Sequence, residues 1–271
     1  MGHHNRHFAG DKYALHGAWS PPTSAANFCE EDYVVTRYIA EFINALTNLS
    51  YIFFALRYMY GPGSQGLLSP RRDSMAASLL LVGIGSFFYH ASLRQTLQFG
   101  DDLSMIVLSG TMLNGVFTVR QTPARARTIS ALITLASLAF SAFYVYSGKI
   151  IYHFTAFTSQ IILLTLRCVY IYRRAEPRFS EAKVRAWRRV HGRATLILLL
   201  AFALWNVDLE FCAELRELRE KVGLPWAWLL ELHGWWHVLT AWGAAMFMNV
   251  VRDMQDEERR EKAKAVQGKD K

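Results

Sequence analysis

The sequence predicts an all-α membrane protein, a bundle of seven transmembrane helices with a lumenal N-terminus and a cytosolic C-terminus. Three observations support this fold class. Hydrophobic residues make up 52% of the 271 positions. Seven apolar segments approach the roughly 20 residues that a helix needs to cross a bilayer. Basic residues are concentrated in alternate connections between these segments, as the positive-inside rule requires.

The predicted spans follow one another along the chain with clear separators. They are Ile39–Tyr60, Ser74–Leu93, Asp102–Val119, Thr128–Tyr146, Ile150–Tyr172, Ala194–Phe211 and Leu229–Val251. Gly61–Pro62–Gly63–Ser64 ends the first span, and Thr122–Pro123 precedes the fourth. Ser147–Gly148–Lys149 separates the fourth from the fifth, and the basic run Arg173–Arg189 precedes the sixth. Glycine and proline interrupt helices, so these positions mark the ends of spans.

The basic residues orient the bundle. With the N-terminus outside, the cytosolic side receives Arg71, Arg72, Arg120, Arg125, Arg127, the run Arg173–Arg189 and the basic tail after Arg252. The lumenal side holds fewer, and several of them alternate with glutamates between Glu214 and Lys221. The net charge of +8 is thus explained by membrane orientation and contact with anionic lipid, without a nucleic-acid partner. The oligomeric state is not indicated.

Three parts are predicted along the chain. Residues 1–38 form a lumenal N-terminal segment, residues 39–251 form the transmembrane domain, and residues 252–271 form a charged cytosolic tail. The composition of the tail predicts a frayed helix or disorder.

Ligand-type residues of three predicted spans fall at the lumenal end. His233 and His237 lie one helical turn apart on one face, and His90 lies near the lumenal end of the second span. Three imidazoles with one open position are typical of a catalytic zinc site. Asp101 is placed to accept a proton, and Ser86, one turn before His90, is placed to donate to an oxyanion.

Structural alternatives apply to the same residue types. A single histidine in a membrane helix commonly hydrogen-bonds to a neighbouring helix, which is our interpretation of His153 and His191. Ser86 alone is also compatible with close helix packing. Gly234, Trp235 and Trp236 replace the Glu-x-x of a zincin motif, so a zincin protease is not predicted.

Several strings of the sequence together resemble the alkaline ceramidase family. They are Gly85–His90, Asp101–Asp102, Trp205–Asp208, His233–His237, Phe28–Tyr33 and Tyr38–Phe42. The resemblance runs from about Gly17 to Val250, and within the family the chain looks like the fungal enzymes acting on phytoceramide and dihydroceramide. It implies a seven-helix intramembrane hydrolase that binds ceramide in the membrane and cleaves its amide to a sphingoid base and a fatty acid.

The resemblance also implies site residues and a location. His90, His233 and His237 would hold Zn²⁺, with Ser86 and Asp101 assisting the reaction. A calcium site would use Asn27, Phe28 through its carbonyl, Glu30, Asp32 and Glu41, and these oxygen donors suit Ca²⁺. The family often has Asp and Asn where this chain has Asn27 and Asp32, an exchange that leaves the ligand charge unaltered. A solvated acidic turn is the alternative. An endoplasmic reticulum or Golgi membrane is implied.

Two cysteines fit this arrangement. Cys29 and Cys212 both fall on the lumenal side of the predicted topology, where an oxidising compartment permits a disulfide. The resemblance pairs these two positions, whereas Cys168 is predicted to be a free buried thiol within the fifth span.

Other functions are compatible with a seven-helix bundle. A zinc-containing receptor resembling the progestin and adiponectin receptors would place its N-terminus in the cytosol. A transporter is less favoured, because the polar residues cluster at one end of the bundle. A calcium-bound structural protein without catalysis does not explain the three histidines.

Overall fold

A computed structural model describes residues 11–267 apart from Gly63, Gln65 and Leu67. Its helices are α1 (Phe42–Thr47), α2 (Leu49–Met59), α3 (Ser74–Ser92), α4 (Gln95–Phe117), α5 (Pro123–Ser147), α6 (Ile150–Arg174), α7 (Glu181–Glu210), α8 (Cys212–Val222) and α9 (Leu232–Gln267), with a 3₁₀ helix at Trp226–Leu230. Apart from an isolated bridge between Thr36 and Ile39, the described residues contain no strand. The first ten residues of the predicted N-terminal segment and the last four of the tail lie outside this description.

Helices cover all seven predicted spans, and four described helices are long and apolar enough to cross a membrane: α3, α5, α6 and α7. The first predicted span is instead two short helices that meet at Asn48. The expected start of the seventh span is also wrong, because Leu229 and Leu230 lie in the 3₁₀ turn and α9 begins at Leu232. The count of seven spans and the orientation of the termini stay predictions.

Exposed leucines on the long helices support an integral membrane protein. Leu132, Leu135 and Leu138 on α5 are 61–62% exposed, Leu166 on α6 is 60% exposed, and Leu196 on α7 is 68% exposed. Runs of large apolar side chains at helical spacing are unfavourable in water and favourable against lipid chains. The outer faces of these helices therefore have the composition expected of lipid contact.

The chain forms two compact units, the first of which contains the predicted site residues. It comprises Met1–Ser104 and Thr195–Gly243. Here α3 packs against α1 and α2. A Cβ atom at Gly83 would lie 2.7 Å from Ile52 Cγ1 and 3.1 Å from the Asn48 carbonyl oxygen, so this approach requires glycine.

The N-terminal segment is fixed to the same unit by hydrogen bonds. Gln98 Oε1 accepts from the Ala25 N–H at 2.7 Å, and the Tyr89 hydroxyl donates to the Ala26 carbonyl at 2.7 Å. The Leu93 carbonyl accepts from two further backbone N–H groups of the segment at 3.0 Å. These contacts bring the acidic residues of the segment to the ends of α1 and α3.

The second unit comprises Met105–Ala194 and Ala244–Lys271. The charged segment after Arg252 continues α9 to Gln267, so of the two expected alternatives the described residues form the helix rather than a disordered tail. Asp253 accepts from Lys183 Nζ at 2.9 Å and from Trp187 Nε1 at 2.8 Å, and Glu258 accepts from the Arg120 N–H at 3.1 Å. These contacts hold the tail as helix, an effect of tertiary structure that composition does not show.

Candidate metal centre

The structure brings His90, His233 and His237 together as a buried group. One ring nitrogen from each lies within 4.8 Å of the others. The ring centroids are 4.5 Å apart for His233 and His237, 4.8 Å for His90 and His237, and 5.1 Å for His90 and His233. His90 comes from the last turn of α3, and the other two come from the first two turns of α9.

Neighbouring side chains orient two of the three imidazoles. His90 Nδ1 lies 2.5 Å from Glu41 Oε2, and His237 Nδ1 lies 3.0 Å from Thr47 Oγ1. A partner on one ring nitrogen fixes the ring and leaves the other nitrogen for a metal, as in most histidine-metal sites. The Nδ1 atom of His233 is buried without a hydrogen-bond partner. The donor set therefore fits a zinc ion.

A close approach between helices places Thr47 on His237. A Cβ atom at Gly234 would lie 3.2 Å from both Ile43 Cγ2 and Thr47 Cγ2, so glycine allows α9 to pack directly on α1. The Thr47 hydroxyl also donates to the Ile43 carbonyl at 2.9 Å, within its own helix. The close approach at Gly234 is thus part of what positions the metal centre.

Ser86 and Asp101 meet on adjacent helices in the same unit. The Ser86 side chain lies close to the Asp101 carboxyl group. A Cβ atom at Gly85 would lie 3.3 Å from the Gly100 carbonyl oxygen and 3.5 Å from Asp101 Cα, which shows how closely α3 and α4 approach at this level. Ser86 lies one turn before His90 on α3 and is buried, whereas Asp101 retains some accessible surface.

The residues of the predicted calcium site lie close to one another and to the histidines. Asn27 Nδ2 donates to Asp32 Oδ2 at 3.4 Å, and the Phe28 N–H donates to Glu41 Oε1 at 3.0 Å. The Phe28 ring stacks on His233 with centroids 3.6 Å apart. Glu30 accepts from the first N–H groups of α1, including that of Ile43 at 2.7 Å.

The buried carboxylates of this segment require positive charge nearby. Burial, followed by the charges of Glu41 and Asp11, raises the pKa of Asp32 to about 8. Burial, followed by the charge of Glu231, also raises the pKa of Glu30. Asp32 Oδ1 is buried without a hydrogen-bond partner. Hard oxygen donors in this number fit Ca²⁺, and a divalent cation would stabilise the charged forms.

A disulfide fastens the acidic N-terminal segment around Cys29 to α8. The structure contains the bond between Cys29 and Cys212, with Cα atoms 5.4 Å apart. The Cys29 carbonyl accepts from Arg216 Nε at 3.0 Å and from Arg219 Nη2 at 3.1 Å. Cys168 is free and buried, as predicted.

Five contacts of this site were not predicted from the sequence. Glu41 contacts His90, and Asp208 accepts from the backbone N–H groups of both Cys29 and His233 at 3.3 Å. Asp11 is paired with Arg216, and its Oδ2 accepts from the Asp32 N–H at 3.2 Å. Asp208 lies at the predicted lumenal end of the sixth span, and this position could have indicated that it belongs to the site. Nothing in the sequence pairs Asp11 with Arg216.

The chain is similar to known proteins along most of its length. A profile of the ceramidase family matches residues 20–269. Alkaline ceramidase 3 of Mus musculus is 32% identical over 232 residues, which cover 84% of this chain and 82% of the mouse protein. Alkaline ceramidase YPC1 of Saccharomyces cerevisiae is 28% identical over 246 residues, covering 86% of this chain and 77% of the yeast protein. An alkaline ceramidase of Arabidopsis thaliana is 24% identical over 227 residues, covering 83% and 82%. The chain belongs to the ceramidase family.

Proposed function

We propose that this protein is an intramembrane zinc-dependent amidase that hydrolyses ceramide to a sphingoid base and a free fatty acid, with phytoceramide and dihydroceramide as its substrates. The observation that carries the proposal is the buried group of His90, His233 and His237 in a chain of the ceramidase family. The relatives named above are alkaline ceramidases, and their similarity extends over more than four fifths of this chain.

The three histidines would hold zinc, and Ser86 and Asp101 would act on the substrate. Zinc held there supplies Lewis-acid polarisation of the amide carbonyl and of a water molecule. Asp101 takes a proton from the attacking water as the water oxygen bonds to the amide carbon. It returns this proton to the nitrogen of the departing sphingoid base as the C–N bond breaks.

The proximity of Ser86 to Asp101 gives the serine a role in two steps. While Asp101 is charged, the Ser86 hydroxyl donates to it and orients the carboxylate. Once Asp101 is protonated, it no longer requires that donor, and the Ser86 hydroxyl is released to donate to the oxyanion of the tetrahedral intermediate. The transfer of one proton to Asp101 thus has two effects. It gives Asp101 the proton that the leaving nitrogen later receives, and it frees the Ser86 hydroxyl to donate to the oxyanion.

A product assay tests the proposed reaction. The purified full-length protein would be incubated in detergent with phytoceramide, dihydroceramide and ceramide, each with and without a zinc chelator, and the sphingoid bases quantified. We expect base release from phytoceramide and dihydroceramide, and its loss with chelator and return with added zinc. Base release that persists after the bound zinc has been removed would contradict the zinc dependence alone, whereas no release from any ceramide would contradict the function.

The orientation of the termini separates this proposal from the receptor alternative. The matches to ceramidases do not favour a receptor of the progestin and adiponectin type. We expect a glycosylation site added at the N-terminus to be modified and one added at the C-terminus to remain unmodified. The reverse pattern would support the receptor topology. Fluorescence microscopy of the tagged protein would test the proposed endoplasmic reticulum or Golgi location.

We expect Glu41→Gln to weaken zinc binding by about 10- to 100-fold, the usual cost of losing the partner that orients a metal-binding histidine. The amide oxygen and nitrogen cannot reproduce the charged contact to His90 Nδ1, which is 2.5 Å long. Competition against a fluorescent zinc chelator measures the affinity. Glu31→Gln is the matched control, because Glu31 is in the same segment and its side chain is 51% exposed. Equal zinc affinity in both variants would contradict the role of Glu41.

We propose that Ca²⁺ binds Asn27, the Phe28 carbonyl, Glu30, Asp32 and Glu41. We expect saturating calcium, about 100-fold above its Kd, to raise the midpoint of thermal inactivation by about 5 °C or more. Asp32→Ala should lose most of this increase, because it removes the buried oxygen that has no other partner. Glu31→Ala should retain it. A calcium-induced increase of the same size in Asp32→Ala would contradict this assignment.

A further inference from the structure

A cavity of about 460 Å³ lies in the second unit where α6 ends and α7 begins. Its wall includes four arginines and a single carboxylate, that of Glu181. The arginines are Arg173, Arg178, Arg185 and Arg188. Ile171, Phe179 and Val184 supply an apolar floor. The cavity thus combines an excess of three positive charges with an apolar base, and it is separate from the metal centre.

Little within the described residues neutralises these arginines. Arg178 pairs with Glu176 at 3.3 Å and Arg185 with Glu181 at 3.1 Å, but the four side chains are 67–90% exposed. Such exposed pairs contribute little and are readily exchanged for a better anion. Arg173 has no ion pair in the described part of the chain. These guanidinium groups are therefore available to an added anion, and planar guanidinium groups bind phosphate oxygens in pairs.

The floor of the cavity is held in place by its surroundings. The Phe179 ring lies under the Arg120 guanidinium, with 3.8 Å between the guanidinium carbon and the ring centroid. Trp187 packs edge-on against the same ring, with centroids 5.0 Å apart. Arg188 Nη2 donates to the Tyr172 carbonyl at 3.1 Å, which positions one arginine of the rim. A floor fixed in this way is preorganised for binding.

The position along the helices indicates a ligand at the membrane surface. Both α6 and α7 are long and apolar enough to cross a membrane, and the cavity lies at the polar end of each. That level corresponds to lipid headgroups, and basic pockets between membrane helices bind anionic headgroups. We propose that this cavity binds the phosphomonoester headgroup of an anionic membrane lipid. The phosphate would contact the arginines, and the apolar floor would lie against the glycerol and upper acyl chains.

Binding of a fluorescent short-chain phosphatidylinositol 4-phosphate to the full-length protein in detergent tests this proposal, at about 150 mM salt to screen diffuse attraction. Unlabelled phosphatidylinositol 4-phosphate is the reference competitor, and phosphatidylcholine, inositol 1,4-bisphosphate and inorganic phosphate are compared with it. The test variant is Arg173→Gln with Arg185→Gln. Its matched control is Arg174→Gln with Arg189→Gln, which removes two exposed charges from the same basic run but not from the cavity wall.

We expect the cavity variant to bind the probe at least about tenfold more weakly and the control variant to bind it within about threefold of the unmodified protein. Both should hydrolyse ceramide normally. An equal loss of lipid affinity in the two variants would show that the general positive charge of the basic run, and not the cavity, attracts the lipid. That result would overturn the proposal. Competition by inositol 1,4-bisphosphate or phosphate as strong as that by the unlabelled lipid would identify a soluble anion instead and overturn the lipid assignment. If the double variant fails to fold, Arg178→Gln, at a 74% exposed side chain, provides the same comparison.

Discussion

Replacing His237 by alanine should abolish ceramide hydrolysis and release the bound zinc. The substitution removes one of three imidazoles whose nitrogens lie within 4.8 Å of one another. The two remaining histidines would bind zinc far less tightly. Changing a group that only orients a metal ligand costs up to about 100-fold, so we expect the loss of activity here to be greater than that. Ceramide hydrolysis in detergent and zinc content by mass spectrometry measure the two effects.

The control for this substitution is His153→Ala. His153 is also buried in a long apolar helix, but it belongs to the second unit and not to the three-histidine group. It should keep both zinc and activity if the protein remains folded, as judged by its thermal midpoint. Full activity in His237→Ala would contradict the zinc assignment. Loss of zinc in both variants would show that His237, like His153, is needed for folding rather than specifically for metal binding.

Asp101→Asn should lower kcat by about 10²- to 10⁴-fold, the range for removing a general acid-base group, while zinc stays bound. The amide has the same shape as the carboxylate but cannot take up and return the proton. Asp102→Asn makes the same change one position along α4. Asp102 accepts a hydrogen bond from Gln98 at 3.4 Å and has no proposed part in catalysis, so kcat should change little.

Ser86→Ala provides a second test of the same pair. Because the serine and the aspartate lie close together and act in consecutive steps of the proposed mechanism, the double variant should lose much less activity than the product of the two single losses. Strictly multiplicative losses would contradict the proposed exchange of the Ser86 hydrogen bond between Asp101 and the oxyanion. An unchanged kcat in Asp101→Asn would remove Asp101 from the mechanism altogether.

The helical fold class, the ceramidase family and the convergence of the three histidines were predictable from the sequence. The spacing of His233 and His237 requires only helical geometry, and loop charges bring His90 to the same end. The resemblance to the alkaline ceramidases is confirmed by relatives that match more than four fifths of the chain. These features depend on local periodicity and on charge distribution, both of which are visible in a single sequence.

Other features depend on tertiary contacts that periodicity does not report. The break at Asn48 is held by a hydrogen bond from its side chain to the Asn44 carbonyl at 2.8 Å. The contact between Glu41 and His90 joins residues predicted for two different metals. The helical tail depends on partners such as Lys183, which is 70 positions away from Asp253. In the last two of these cases the polar partner is distant in sequence.

The disulfide has a consequence for the order in which the protein matures. It joins two cysteines 183 positions apart, and Cys212 is synthesised long after the acidic N-terminal segment around Cys29. His233 and His237 follow later still, after α8. A chain still emerging from the ribosome therefore has only one histidine of the metal centre in place for most of its synthesis. Under the proposed mechanism such a nascent chain does not degrade the lipid around it, and hydrolysis begins only when α9 has been synthesised.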